Sequence, residues 1–253
     1  MSSLIPPTVI ITMAGMGQRF RDAGYTVPKY RIEAHGRTLF AWSMLSLRSF
    51  IDAGSPFIFV ALRQDGAEGF IRDQAVELGI RDVAVVELDA LTDGQATSAL
   101  AARDAVAHPD RPMLVYNIDT HVDPAHLPAG AVRGDGWVPC FPGPGAAWSF
   151  ARADGTGRIE ELREKERISD DATVGLYWFS SFTLYARSYA EFFADPANMA
   201  KGEKYIAPLY NHLIRAGRPV YLHRIPFEAV VPLGTPAEVT RFVAGPDPAL
   251  SVD

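Results

Sequence analysis

Residues 9–29 read VIITMAGMGQRFRDAGYTVPK, and the rest of the chain is best read outward from them. Val9, Ile10, Ile11 and Thr12 form a β-branched run, as in a strand buried on both faces of a parallel sheet. The run empties directly into the AGMG turn, Ala14, Gly15, Met16 and Gly17. Gly15 and Gly17 have no Cβ, so the backbone can take positive φ and bring its N–H groups against an anion. Arg19 adds a planar charged fork, and Lys29, after Pro28, a compact second cation. These features together predict a polyphosphate site. It is neither a dinucleotide fingerprint, which would need glycine at Phe20, nor a Walker A loop, whose GK[ST] ending is absent.

Composition narrows the partners. A net charge of −6 over 253 residues disfavours a nucleic-acid groove but permits a local basic pocket. Cys140 is the only cysteine, so no intrachain disulfide or cysteine-based metal site is expected, and its apolar surroundings suggest a buried structural thiol. The first residues, MSSLIPPT, lack a basic and apolar leader pattern, and no run of about 18 apolar residues occurs. No membrane partner is expected, and the expected location is cytoplasmic.

Along the chain, a helix is expected over 39–50, a strand over 57–62, a helix over 67–78 stopped by Gly79, and a strand over 83–88. This alternation predicts an α/β fold with a mostly parallel, layered sheet flanked by helices. Over 91–104, Thr92 or Asp93 can cap an alanine-rich helix, and Gly94 allows close approach at its start. The strand in PMLVYNIDT ends at Asp119, where open α/β sheets bind ligands. Asp123, followed by Pro124, reads as a structural helix cap. From Gly136 the segments shorten and alternate with turns, which predicts an antiparallel or mixed region. GEKYIAPLYNHLI (202–214) has a helical apolar stripe in which Asn211 reads as structural, a strand follows at 220–225, and the tail from 246 to 253 reads as disordered after a single domain over 1–245.

The segment AGMGQRFRDAGYTVPKYRIEAHGRTLFAWSM resembles the N-terminal signature of the sugar-phosphate nucleotidyltransferases. That resemblance implies a Rossmann-related, glycosyltransferase-A-like fold. It implies attack by an acceptor phosphate on the α-phosphorus of a nucleoside triphosphate, with release of pyrophosphate. By position, Arg19, Lys29 and Lys165 would be the catalytic cations, Gly94, Gln95 and Thr97 would contact the base or ribose, and Asp119 would bind Mg²⁺. The resemblance also implies that the region from Gly136 holds the second substrate, the acceptor. Glu164, Gly175 and Glu203 would meet it, with Tyr205 a weaker candidate; Trp148, Tyr177 and Trp178 could stack on it.

Several positions depart from the family pattern. Met16, Arg37 and Thr38 replace commoner residues without removing a phosphate ligand, and Glu166 replaces the proline of the usual EKP element. Trp148 and Ser149 stand where many sugar-specific members have a YG-like pair. Pro232 takes the place of a second Mg²⁺-binding aspartate, leaving Asp119 with phosphates and water, or another acid such as Glu228. The acceptor can then be a sugar 1-phosphate, a related small phosphate or, for a cytidylyltransferase, a phosphorylated non-sugar. A nucleotide-sugar-dependent glycosyltransferase is the competing enzyme reading, and a catalytically silent nucleotide-binding domain the non-enzymatic one. A homodimer is compatible with all of these.

Overall fold

The computed structural model describes residues 5–246; most of the expected tail, 247–253, lies outside the described residues. β1 (Thr8–Thr12) runs parallel to two neighbours, in register Val9 with Phe57 on one side and Val9 with Leu114 on the other. Its side chains alternate between two apolar layers. Val9 and Ile11 face one, and Ile10 faces the other. A strand buried on both faces needs apolar side chains on both, which is why Val9, Ile10 and Ile11 read as a continuous hydrophobic run between Thr8 and Thr12.

After β1 come α1 (Gln18–Asp22), the short pair β2 (Glu33–Ala34) and β3 (Arg37–Thr38), and the helices α2 (Leu39–Leu45) and α3 (Arg48–Asp52). The single helix expected over 39–50 is thus broken. The Ser46 hydroxyl bonds to Trp42 O and accepts from Val122 N at 2.9 Å, so it serves a tertiary contact at the break. β4 (Phe57–Leu62), α4 (Glu68–Leu78) and β5 (Val83–Leu88) complete the parallel half, and Gly79 ends α4 in the left-handed conformation, φ 76°. α5 (Gln95–Leu100) then leads to β6 (Met113–Asn117) and β7 (Thr120–Val122).

The second half comprises β8 (Gly136–Pro142), β9 (Ser149–Ala153), β10 (Ile159–Glu164), β11 (Asp171–Thr173) and β12 (Leu176–Phe179), all joined through antiparallel pairings. α6 (Phe182–Phe192), α7 (Tyr210–Arg215), β13 (Val220–Arg224), β14 (Val230–Pro232) and α8 (Pro236–Ala244) come next. The mixed ten-stranded sheet has the order β10-β9-β11-β8-β12-β6-β1-β4-β5, with β13 parallel to β8. Helices cover both faces. On one, Phe40 and Met44 of α2 and Ile71 and Ala75 of α4 pack against Phe57 and Phe59; on the other, Ala96 and Ala99 of α5 and Tyr185 of α6 pack against Ile58 and Val60.

A third apolar cluster matters for the site. Phe20 of α1, Trp42 of α2 and Val239 and Phe242 of α8 meet there with Leu233, bringing the last helix against the glycine turn. The helix expected over 202–214 begins late. Residues 202–205 are irregular, and regular α-helix starts only at Tyr210. Asn211 is structural as expected, its side chain bonding to both Leu162 N and Leu162 O at 2.9 and 2.8 Å. Asp123 likewise caps a short turn by accepting from Ala125 N. Burial pushes the Cys140 thiol far up, which fits a structural role.

Candidate active site

A cleft of about 840 Å³ opens at the carboxyl ends of β1 and β6, where two connections leave the parallel sheet. Ala14, Gly15 and Met16 line it just after β1, which is pinned by a hydrogen bond from Met13 N to Val60 O at 2.9 Å. Gly17 stands one step outside the lining and starts α1 at φ 60°, a conformation that strains any residue with a Cβ. Arg19, exposed on α1, lines the cleft, while Phe20 beside it is buried and anchors the helix.

Lys29 and Asp119 meet here although 90 residues separate them. Lys29 Nζ donates to Asp119 Oδ2 at 2.7 Å, with both side chains mostly buried. Nothing in the sequence announced the pairing. Pro232 pairs with Thr120 across β14 and β7 and offers no ligand atom. Glu228 is not its substitute, because it is exposed on a turn whose Ala229 O bonds to Asp123 N, at the opposite end of β7 from Asp119. The lining acid that shares Gly234 with Asp119 is Glu238, in the first turn of α8.

A Cβ placed on Gly234 would lie 3.4 Å from Asp119 Oδ2 and 3.6 Å from Glu238 Oε2, so both carboxylates border the same open volume. All-oxygen donors of this kind fit a hard cation such as Mg²⁺. No group of three or more potential ligand side chains occurs among the described residues, so phosphate oxygens and water would complete the shell. Thr235 caps α8 by accepting from Glu238 N at 3.3 Å, and this T-x-x-E spacing was the available sequence signal for Glu238.

A second wall of the cleft is α5 and the loop before it. Gln95 Nε2 bonds to Thr12 Oγ1 at 3.3 Å and to Asn117 Oδ1, tying α5 to the ends of β1 and β6. Neither Thr92 nor Asp93 caps the helix. The N-terminal position is Gly94, φ 141°, with no side-chain cap. The orphan N–H of Ala96 instead bonds to Lys204 O at 2.9 Å, from a segment over one hundred residues away. Thr97 is outside the cleft lining, its hydroxyl bonded to Asp93 and to Tyr189 OH.

The antiparallel half builds the other end. Ser149 and Glu164 are register partners on β9 and β10, and Ser149 Oγ donates to the Glu164 carboxylate. Burial raises the Glu164 carboxyl above its ordinary value, outweighing the Ser149 hydrogen bond and the neighbouring Lys165 charge. Lys165 is not in the lining itself; its Nζ donates to Tyr205 OH at 2.7 Å and lies 3.6 Å from Glu164. Burial alone would lower this ammonium, but Tyr205 and the nearby carboxylates hold it above its ordinary value.

Trp148 lines the cleft with its ring edge-on to Phe141, centroids 5.1 Å apart. Gly175 lines it beside Asn117, and Glu203 is an exposed part of the lining. Tyr177 forms part of the floor, its hydroxyl 3.0 Å from Thr173 Oγ1, whereas Trp178 points to the opposite core layer. One cleft therefore gathers a glycine turn, the cations Arg19 and Lys29, the carboxylates Asp93, Asp119, Glu164, Glu203 and Glu238, and a polar, partly aromatic far end.

No family model and no curated protein matches the chain. Solved structures do. The nucleoside-diphosphate-sugar pyrophosphorylase from Vibrio cholerae RC9 is 36% identical, with a TM-score of 0.86 over 94% of this chain and 100% of that one. The inositol-1-phosphate CTP transferase from T. maritima has a TM-score of 0.74 over 96% of each chain, and at 15% identity it supports the fold. At 36% identity over nearly the whole of both chains, the chain belongs to the nucleoside-diphosphate-sugar pyrophosphorylase family of nucleotidyltransferases.

Proposed function

We propose that the cleft joins the nucleotidyl group of a nucleoside triphosphate to the phosphate of a sugar 1-phosphate or related small acceptor, with Mg²⁺ as cofactor. The observation that carries this reading is the polarity of the cleft. The glycine turn, Arg19 and the Lys29–Asp119 pair occupy one end, and Lys165–Tyr205 and Glu164–Ser149 the other.

A phosphomonoester is largely dianionic near neutral pH, its second pKa being about 6, so its oxygen can attack without a general base. The site's task is alignment and charge neutralisation. The N–H groups of residues 14–17 and the Arg19 guanidinium bind the triphosphate and take up charge on the departing pyrophosphate. Lys29, released from Asp119, bridges to the attacked α-phosphate. Lys165, held by Tyr205, positions the incoming acceptor phosphate, and Glu164 accepts hydrogen bonds from the acceptor's hydroxyls. Bound at Asp119 and Glu238, Mg²⁺ would supply Lewis-acid polarisation of the phosphate oxygens.

The glycosyltransferase reading is weaker, because NIDTH carries one acid where a two-acid motif would be wanted. The test is pyrophosphate release by the purified protein with Mg²⁺, each common nucleoside triphosphate and a panel of sugar and non-sugar phosphates. Release with a particular pair is expected and names both substrates. Silence throughout, with triphosphate binding intact, would favour the catalytically silent domain.

A further inference from the structure

Two loops that belong to different halves of the site are fastened to each other. Residues 91–94 lead into α5, and residues 200–205 carry Glu203 and Tyr205. Lys204 N donates to Asp93 O at 2.8 Å, and Lys204 O accepts from Ala96 N at 2.9 Å. The side chains repeat the link, with Lys204 Nζ 2.7 Å from Asp93 Oδ2 and 3.2 Å from Tyr189 OH. Gly94 is required at the crossing, since a Cβ there would lie 2.5 Å from both the N and the O of Lys204.

The second loop has few other anchors of its own. It turns back through Lys201 at φ 52° and Gly202 at φ 80°, closed by reciprocal Ala200 and Glu203 backbone bonds. The next residue after Lys204 is Tyr205, whose hydroxyl holds the Lys165 ammonium. A continuous path therefore runs from the nucleotide wall at Gly94 and Gln95, through Lys204, to the cation at the acceptor end.

We propose that Lys204, through its pairing with Asp93, is a positioning residue that couples the two substrate subsites, so that a triphosphate seated against Gly94 and Gln95 orders Tyr205 and Lys165 for the acceptor phosphate. This coupling rests on the proposed function, which places the triphosphate there. Ordering a loop tied to a second site is how binding at one site improves binding at another without direct contact. The expected coupling is about tenfold in acceptor KM, within the usual range for coupled sites.

Hydrogen–deuterium exchange of the full chain tests this, using ATP, CTP, GTP, UTP and dTTP in turn with Mg²⁺ and no acceptor. The expected result is that a triphosphate slows exchange both at residues 12–19 and at residues 200–206. In Lys204→Met the protection at 12–19 persists while that at 200–206 is lost, and Lys204→Arg restores it. In turnover, Lys204→Met raises the KM of whichever acceptor supports pyrophosphate release about tenfold, with triphosphate KM unchanged within about twofold. Wild-type protection at 12–19 without protection at 200–206 would overturn the coupling alone, as would protection of both segments in Lys204→Met. Absence of protection at 12–19 with every triphosphate would overturn the proposed function and the coupling together.

Discussion

The two halves of the cleft are built by different rules. In the parallel half the strands are buried on both faces, so β4 and the middle of β1 are given to the core and the cleft is lined from the strand ends and the segments just beyond them: Thr12, Asn117, a glycine turn, Arg19 and Asp119. In the antiparallel half the strands themselves line the cleft, and Ser149, Glu164, Thr173 and Tyr177 reach it directly from β9, β10, β11 and β12. In the proposed reaction the first arrangement would serve a constant ligand part, the polyphosphate, through backbone groups and two cations. The second presents replaceable side chains, which suits a variable acceptor.

The sharpest break in this comparison would come from Arg19→Ala. Because Arg19 is exposed, removing it should slow pyrophosphate release about a thousandfold while leaving the melting temperature nearly unchanged. Retained turnover would mean that the parallel half works without its arginine.

Asp119→Asn comes next, with an expected loss of about a hundredfold in kcat. Binding of Mn²⁺, followed by water-proton relaxation in the presence of the triphosphate, should weaken in Asp119→Asn and, less severely, in Glu238→Gln. An unchanged signal in Glu238→Gln would show that the carboxylate beside Gly234 takes no part.

Lys165→Met should separate the halves. One charge-assisted hydrogen bond to a phosphate is worth about 1.5–3 kcal/mol, so acceptor KM should rise roughly ten- to hundredfold with triphosphate KM unaffected. An equal rise in both constants would contradict the division of labour.

The smallest effect concerns Glu164, which is raised by burial in the folded protein. The native state then keeps this proton to higher pH than the unfolded chain does. Its contribution to stability is full below the ordinary glutamate value, about 4.3, and is lost as pH rises through the raised folded value. Glu164→Gln keeps an oxygen for Ser149 and removes that loss. The variant should melt with the wild type near pH 4 and a few degrees above it at pH 7, while binding acceptor more weakly. A lower melting point at pH 7 would mean that the charge pairing with Lys165 outweighs the cost of burial.

Much of the parallel half was legible because its determinants are local. A β-branched run, a glycine pair at fixed spacing and an acid just past a strand are all contiguous, and β4, β5 and β6 fall where hydrophobic pattern puts them. The departures are tertiary in origin. The helix over 39–50 breaks where Ser46 bonds to Val122, and the cap of α5 comes from Lys204 rather than Thr92 or Asp93. Thr97 misses the cleft for the same reason, since α5 starts on Gly94 and turns that hydroxyl towards Tyr189.

The sequence by itself determined which chemical groups were on hand: a turn able to cradle phosphate, two cations near it and an acid at a strand end. Those follow from side-chain type and short spacing. Only the tertiary structure decided that Lys29 pairs with Asp119, that Glu238 rather than Glu228 faces the same volume, and that Lys204 fastens the 200–205 loop to the one before α5. Such pairings depend on strand register and on where α8 and the 200–205 loop are packed, and long-range packing leaves no short-range mark in the chain.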